Sequence, residues 1–163
     1  MLEGLKAERS ADFHGHGQPS FKSPRPRPDD PSMTLQHQLE VPRVLIADDD
    51  RDLAQIYAAN LRKDGFRVEI VNSGQDALDR LDDVVKPPVS AMVLDLRMPG
   101  LDGRDVLSRL KKGGHSSMPV LVVTSVTDDY TRHTVAELGA RDMLVKPVFG
   151  HELANRVRRM LMM

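Results

Sequence analysis

The sequence predicts an α/β fold: a doubly wound, five-stranded parallel sheet in the order 2-1-3-4-5, with helices on both faces. Three observations predict it. From residue 43 onward, short apolar runs alternate five times with segments of helical spacing. Most of the apolar runs are continuous, as strands covered on both faces are. The second run, Arg67–Val71, instead alternates polar with apolar, which places it at an edge. An order of 2-1-3-4-5 does that, with right-handed crossovers.

Taken in order, Val44–Ala47 is the first strand and runs into three acids. Asp52–Asp64 follows as a helix, with Leu53, Ile56, Tyr57 and Leu61 spaced to share a face and Gly65 to end it. After the edge strand, Gln75–Val85 reads as a helix with Ala77, Leu78, Leu81 and Val85 inward, punctuated by Pro87 and Pro88. Ala91–Leu94 is the third strand, with Asp95 next. Arg104–Lys112 is a helix facing inward through Val106, Leu107 and Leu110 and closed by Gly113 and Gly114. Val120–Val123 is the fourth strand, ending at Thr124 and Ser125. Asp128–Leu138 is a weaker helix with Thr127 or Asp128 as N-cap. Met143–Val145 is the last strand and leads into Lys146-Pro147. Glu152–Met162 closes the chain, with Leu153, Val157, Met160 and Leu161 inward.

Residues 1–42 differ. They hold six of the eleven prolines, including those of SPRPRPDDP, and lack sustained periodicity. They read as a disordered Pro-rich tail, within which Met33 offers a second start, and 43–163 as the folded domain. A chain of 163 residues, 40% hydrophobic and 29% charged, suits one soluble domain with an extension. The net charge of −1 gives no electrostatic reason to expect nucleic acid or an anionic membrane as partner. Cysteine is absent, which excludes disulfides and thiolate chemistry. No apolar run approaches the ~20 residues that cross a bilayer, and the N-terminus lacks a secretory apolar core. The cytoplasm is the expected location.

In such a sheet ligands bind beyond the C-terminal strand ends, where strand order reverses. Asp48, Asp49 and Asp50 follow the first strand there, Asp95 the third, Thr124 and Ser125 the fourth, and Lys146 the fifth. Strands one and three are neighbours, so their acids face each other. Clustered carboxylates repel unless a cation sits among them, and oxygen-only ligation selects a hard ion such as Mg²⁺. A carboxylate nucleophile, a divalent metal, an ammonium and a hydroxyl together make a phosphoryl-transfer site. Taken singly, each residue has an ordinary reading: Asp50 as an N-cap, Thr124 as a strand-end hydroxyl, Lys146-Pro147 as a loop dipeptide. Their joint arrival at one end of one sheet is what points to chemistry. His14 and His16 read as tail composition, and His115, His133 and His151 as surface residues.

The motifs VLIADDD, VLDLRMPGLDG, VLVVTS and GARDMLVKP resemble those of the receiver domain of bacterial response regulators, over about residues 43–163. The resemblance implies a flavodoxin-like (βα)5 fold and Mg²⁺ as cofactor. Asp48 and Asp49 would form the acidic pocket and Asp95 the phosphoacceptor and further metal ligand, with the main-chain carbonyl of Arg97 completing the protein's share of the shell. Thr124 would be the hydroxyl switch, with Ser125 beside it, and Lys146 would pair with the phosphate. It also implies a cis peptide before Pro147. The phosphoryl group would come from a histidine kinase or phosphotransfer protein. An unknown downstream protein would read the face of helix four, strand five and helix five, and phosphorylation-dependent homodimerisation is left open. One departure stands out: Met143 lies three residues before Lys146, in a stretch where the family carries an aromatic switch residue. Arg97 and Val126 would border the attacking water, and an apolar Val126 cannot orient it, so slow loss of the phosphoryl group is expected.

The leading expectation is a stand-alone, non-enzymatic receiver acting by protein contact or phosphorelay, because no output module follows Lys146 within these residues. The alternative is a receiver fragment of a larger regulator or hybrid kinase. A small aspartyl-nucleophile phosphohydrolase is the reading from another class. It would carry an Asp-x-Asp, whereas Arg97 stands two residues after Asp95.

Overall fold

The computed structural model describes residues 41–162. The expected tail over 1–42, with His14 and His16, lies outside these residues except for its last two. The elements are β1 (Arg43–Ala47), α1 (Arg51–Lys63), β2 (Arg67–Val71), α2 (Gly74–Asp82), β3 (Ala91–Leu94), α3 (Gly103–Lys112), β4 (Val120–Thr124), α4 (Asp129–Glu137), β5 (Asp142–Val145) and α5 (Gly150–Met162). The five strands form one parallel sheet in the order β2-β1-β3-β4-β5. The predicted architecture and strand order are both found.

Alternate side chains of the central strands divide the core in two. Val44 and Ile46 of β1, Val93 of β3 and Val123 of β4 pack with Tyr57 and Leu61 of α1 and Leu153 and Val157 of α5. On the other face, Leu45, Met92, Leu94 and Val122 pack with Ala77 of α2, Val106 and Leu107 of α3 and Val135 of α4. Burying such side chains on both faces contributes about 1.5–3 kcal/mol for each large one, which is why the covered stretches Val44–Ala47, Ala91–Leu94 and Val120–Val123 are apolar throughout.

Three side-chain expectations need correction. Ile56 is 57% exposed, because α1 turns Ala54, Tyr57, Ala58 and Leu61 inward instead. Val85 is 91% exposed, because α2 stops at Asp82 and the Asp83 carboxylate accepts the Val85 N–H, a local turn that competes with the next helical turn. The edge strand β2 is half-buried along its whole length rather than alternating. Glu69 explains this: its carboxylate is covered by Arg43 at 2.7 Å and by a two-pronged contact from the buried Arg80 of α2.

Candidate active site at the strand ends

The helices that follow β1, β3 and β4 are each started by an aspartate cap, which fixes where the preceding loop runs. Asp50 caps α1 by accepting from Leu53 N, Asp102 caps α3 by accepting from Arg104 N and Asp105 N, and Asp128 caps α4 by accepting from Thr131 N. Asp50 is therefore a cap, and Asp48 and Asp49 are left for the pocket.

Asp48 is 2% exposed and Asp95 is 6% exposed, while Asp49 lies open to solvent. One carboxylate oxygen from each of the three falls within 4.8 Å of the others. Asp48 is held by Asp50 N–H on its Oδ1 at 2.9 Å and, at its main-chain carbonyl, by Asn72 Nδ2 at 3.0 Å. Asp95 is held by its own N–H to Ala47 O at 2.9 Å and accepts Arg97 N–H on Oδ1 at 3.3 Å. Lys146 reaches both buried acids, with Nζ 2.9 Å from Asp48 Oδ2 and 3.2 Å from Asp95 Oδ2. The Lys146–Pro147 bond is cis, as expected.

Burial pushes the Asp95 carboxyl above its ordinary range; the Lys146 charge opposes this and the Asp48 charge adds to it. For Lys146, burial works against the ammonium, but its hydrogen bond to Asp48 and the charges of Asp95 and Asp48 outweigh that and hold it above the usual lysine value. The site therefore carries more negative charge than its lysine neutralises. Its oxygen-only donors suit a hard divalent cation.

Thr124 is fully buried, and its carbonyl accepts Lys146 N–H at 2.8 Å. Its hydroxyl accepts Val126 N–H at 3.3 Å, so it is bonded within its own loop. Ser125 beside it is exposed, as is Arg97. Met143 sits on β5 opposite Val122 and packs, partly buried, on the α2–α3–α4 side of the sheet. His133 and His151 are exposed as expected, whereas His115 is half-buried and lies 3.0 Å from Asp82.

A sequence model of the response regulator receiver domain matches residues 44–158. The chain belongs to the response-regulator receiver family. Sensory transduction protein RegX3 of Mycobacterium tuberculosis is 37% identical to this receiver over 118 residues, 72% of the chain and 50% of the relative. Transcriptional regulatory protein CpxR of Escherichia coli is 35% identical over 119 residues, 73% of the chain and 49% of the relative. The chain thus spans about half the length of these curated relatives. Among solved structures, the receiver domain of Francisella response regulator 1452 superposes with a TM-score of 0.69 at 28% identity, covering 74% of this chain and 97% of that one. DrrB of Thermotoga maritima, described as an OmpR/PhoB homolog, gives 0.66 at 25% identity, covering 75% and 53%. The residues described here are therefore a receiver domain of a two-component system. No helix among them is long and apolar enough to cross a membrane.

Two contacts at the receiver site lay beyond the sequence reading. Gly103 packs against the Asp95 main chain so closely that a Cβ there would lie 2.4 Å from Asp95 O. Asn72 ties the end of β2 to the Asp48 carbonyl. Gly103 directly follows the capping Asp102 in RMPGLDG, and that adjacency is its signal; Asn72 directly follows the second strand and so falls at the same end of the sheet, but its bond to Asp48, 24 residues away, leaves no local pattern.

Proposed function

We propose that this receiver accepts a phosphoryl group on Asp95 from the phosphohistidine of a kinase or phosphotransfer protein, in a Mg²⁺-dependent step in the cytoplasm. One observation carries the reading: three carboxylates converge within 4.8 Å, and a single ammonium holds the two buried ones. Asp48, Asp49, Asp95 and the main-chain carbonyl of Arg97 would hold the ion, which when bound neutralises the acids and the oxygens of the entering phosphoryl group. An Asp95 carboxylate oxygen forms the new P–O bond as the donor's P–N bond breaks, and the imidazole leaves with the electron pair. Lys146, placed 3.2 Å from Asp95, is positioned to pair with a phosphoryl oxygen. Thr124, at the end of the adjacent strand, is the hydroxyl that turns from Val126 toward it. The chain itself catalyses this transfer and needs no separate enzymatic module.

Output is by protein contact or phosphorelay through the face of α4, β5 and α5. The match to about half of RegX3 and of CpxR favours a second reading, in which these residues are the input part of a longer regulator. The expectation of no nucleic-acid partner then applies to these residues alone.

Incubation with a small phosphodonor and Mg²⁺, followed by intact mass, tests the assignment. Wild type gains one phosphoryl group; Asp95→Asn gains none, and chelation of Mg²⁺ suppresses the gain in wild type. Phosphorylation of Asp95→Asn to wild-type extent would refute it. The same experiment followed in time reads the phosphoryl lifetime. Val126 offers no side-chain polar atom to a water, so loss within a few seconds without a phosphatase contradicts the expected slow hydrolysis.

A further inference from the structure

A second polar cluster lies beside the acidic pocket and is not part of it. Arg104, the second residue of α3, is half-buried, and its Nη2 donates to the Thr131 hydroxyl of α4 at 3.0 Å. Thr131 is 1% exposed. Its hydroxyl donates to Asp128 Oδ2 at 2.9 Å, and its amide to Asp128 Oδ1 at 2.7 Å. These two bonds from Thr131 hold the Asp128 carboxyl below its ordinary range, and the Arg104 charge acts in the same direction. One guanidinium on α3 thus grips the first turn of α4 through Thr131 and the helix cap.

Both ends of this tie are keyed to the phosphoryl site. At the α3 end, Arg104 N–H is fixed by Asp102 at 2.8 Å. The preceding Gly103 donates to Leu96 O at 2.9 Å and lies against Asp95 O. At the α4 end, Asp128 stands two residues past Val126, whose N–H is bonded to the Thr124 hydroxyl. The tie therefore joins the main chain of Asp95 to the loop that carries Thr124. It is also incomplete: Arg104 Nε is buried with no hydrogen-bond partner. A buried donor without an acceptor is costly, so this arrangement leaves another one room to compete.

We propose that the Arg104–Thr131–Asp128 tie is a latch that holds the start of α4 at rest and opposes movement of the Thr124 loop toward a phosphoryl group on Asp95. This rests on the phosphoacceptor reading above. A contact made in one state only shifts the equilibrium toward that state, so releasing it favours the other. Arg104 is a positioning residue, acting through Thr131. The latch connects the site to the output face from the α3 side, independently of the β5 position where Met143 replaces an aromatic.

The test is a titration of the full chain with beryllofluoride, a phosphoryl mimic, in the presence of Mg²⁺, followed by amide NMR. Arg104→Met keeps much of the stem and removes the donors; Thr131→Val removes the hydroxyl from the other side; Arg104→Lys restores one charged donor. The Met and Val variants are expected to bind beryllofluoride about fivefold more tightly, the worth of roughly one hydrogen bond made only at rest. In the free variants, amides of the first turn of α4 should shift along the line toward their positions in the wild-type complex, and Arg104→Lys should return most of the way. A merely structural role would lower the melting temperature without moving those amides along that line. Unchanged affinity, or shifts away from that line, overturns the latch. Asp95→Asn separates the two claims: if it binds beryllofluoride as wild type does, the phosphoacceptor reading fails and the latch falls with it.

Discussion

Two ionic clusters sit on this sheet, one buried and one half-buried, and they are charged in opposite senses. At the strand ends, Asp48 and Asp95 share one ammonium, with the Asp49 carboxylate close by. Along the edge strand, Glu69 is bonded by two guanidinium groups, Arg43 and Arg80; Arg80 also donates to Pro87 O at 2.8 Å and feels the Asp83 charge. The hydrogen bond from Arg80 holds Glu69 below the ordinary carboxylate range, whereas burial holds Asp95 above it. The edge cluster is closed: its acid is more than neutralised. The strand-end cluster is left short of positive charge, which is the condition for taking up a cation. Burial of charge alone does not mark a binding site; the sign of what is left over does.

Unfolding and metal-binding measurements test this difference in sign. The largest effect is expected from Arg80→Ala, which should cost about 3 kcal/mol in urea unfolding, the low end for a broken buried pair because Glu69 keeps Arg43. A loss below about 0.5 kcal/mol would make the edge cluster ornamental. Next, Mg²⁺ at about a hundredfold over its dissociation constant should stabilise wild type by about 2.7 kcal/mol. Asp49→Ala should lose most of that while barely changing the metal-free protein, since Asp49 is exposed. Equal stabilisation of both would remove Asp49 from the metal site.

The third expectation concerns pH and has opposite signs for the two clusters. Glu69, lowered on folding, stabilises the fold above its unfolded value near 4.5, and that contribution is lost as pH falls through its lower folded value. Asp95, raised on folding, destabilises the metal-free fold above its folded value, and that penalty is relieved as pH falls toward its unfolded value near 3.8. Without metal, Asp95→Asn should therefore stabilise the fold at neutral pH, while Glu69→Gln should destabilise it, both read by urea unfolding. Stabilisation by both, or by neither, would erase the distinction. The smallest effect should come from Val85→Ser, within about 0.5 kcal/mol, because that side chain touches little. A larger loss would return Val85 to the core.

The strand order and the pocket acids were legible in the sequence because both follow from short-range pattern. Continuous apolar runs announce covered strands, and polar residues directly after them fall at one end of a parallel sheet. Val85 misled because apolar spacing does not reveal that Asp83 bonds its own backbone two residues on. The Glu69–Arg80 pairing and the Arg104–Thr131 tie were invisible, since each joins residues 11 and 27 positions apart through side-chain reach rather than through pattern. The half-burial of β2 follows from the first of these, so alternation identified an edge strand correctly for a reason only partly its own.

The two edges of the sheet share a further property. On β2 the Glu69 carboxylate is clasped by Arg80, and on β5 the Asp142 carboxylate is clasped by Arg156 at 2.6 Å. Each outer strand thus bears a charged residue tied to the helix packed against it, and charge on an edge strand is one way in which sheets discourage pairing with a further chain.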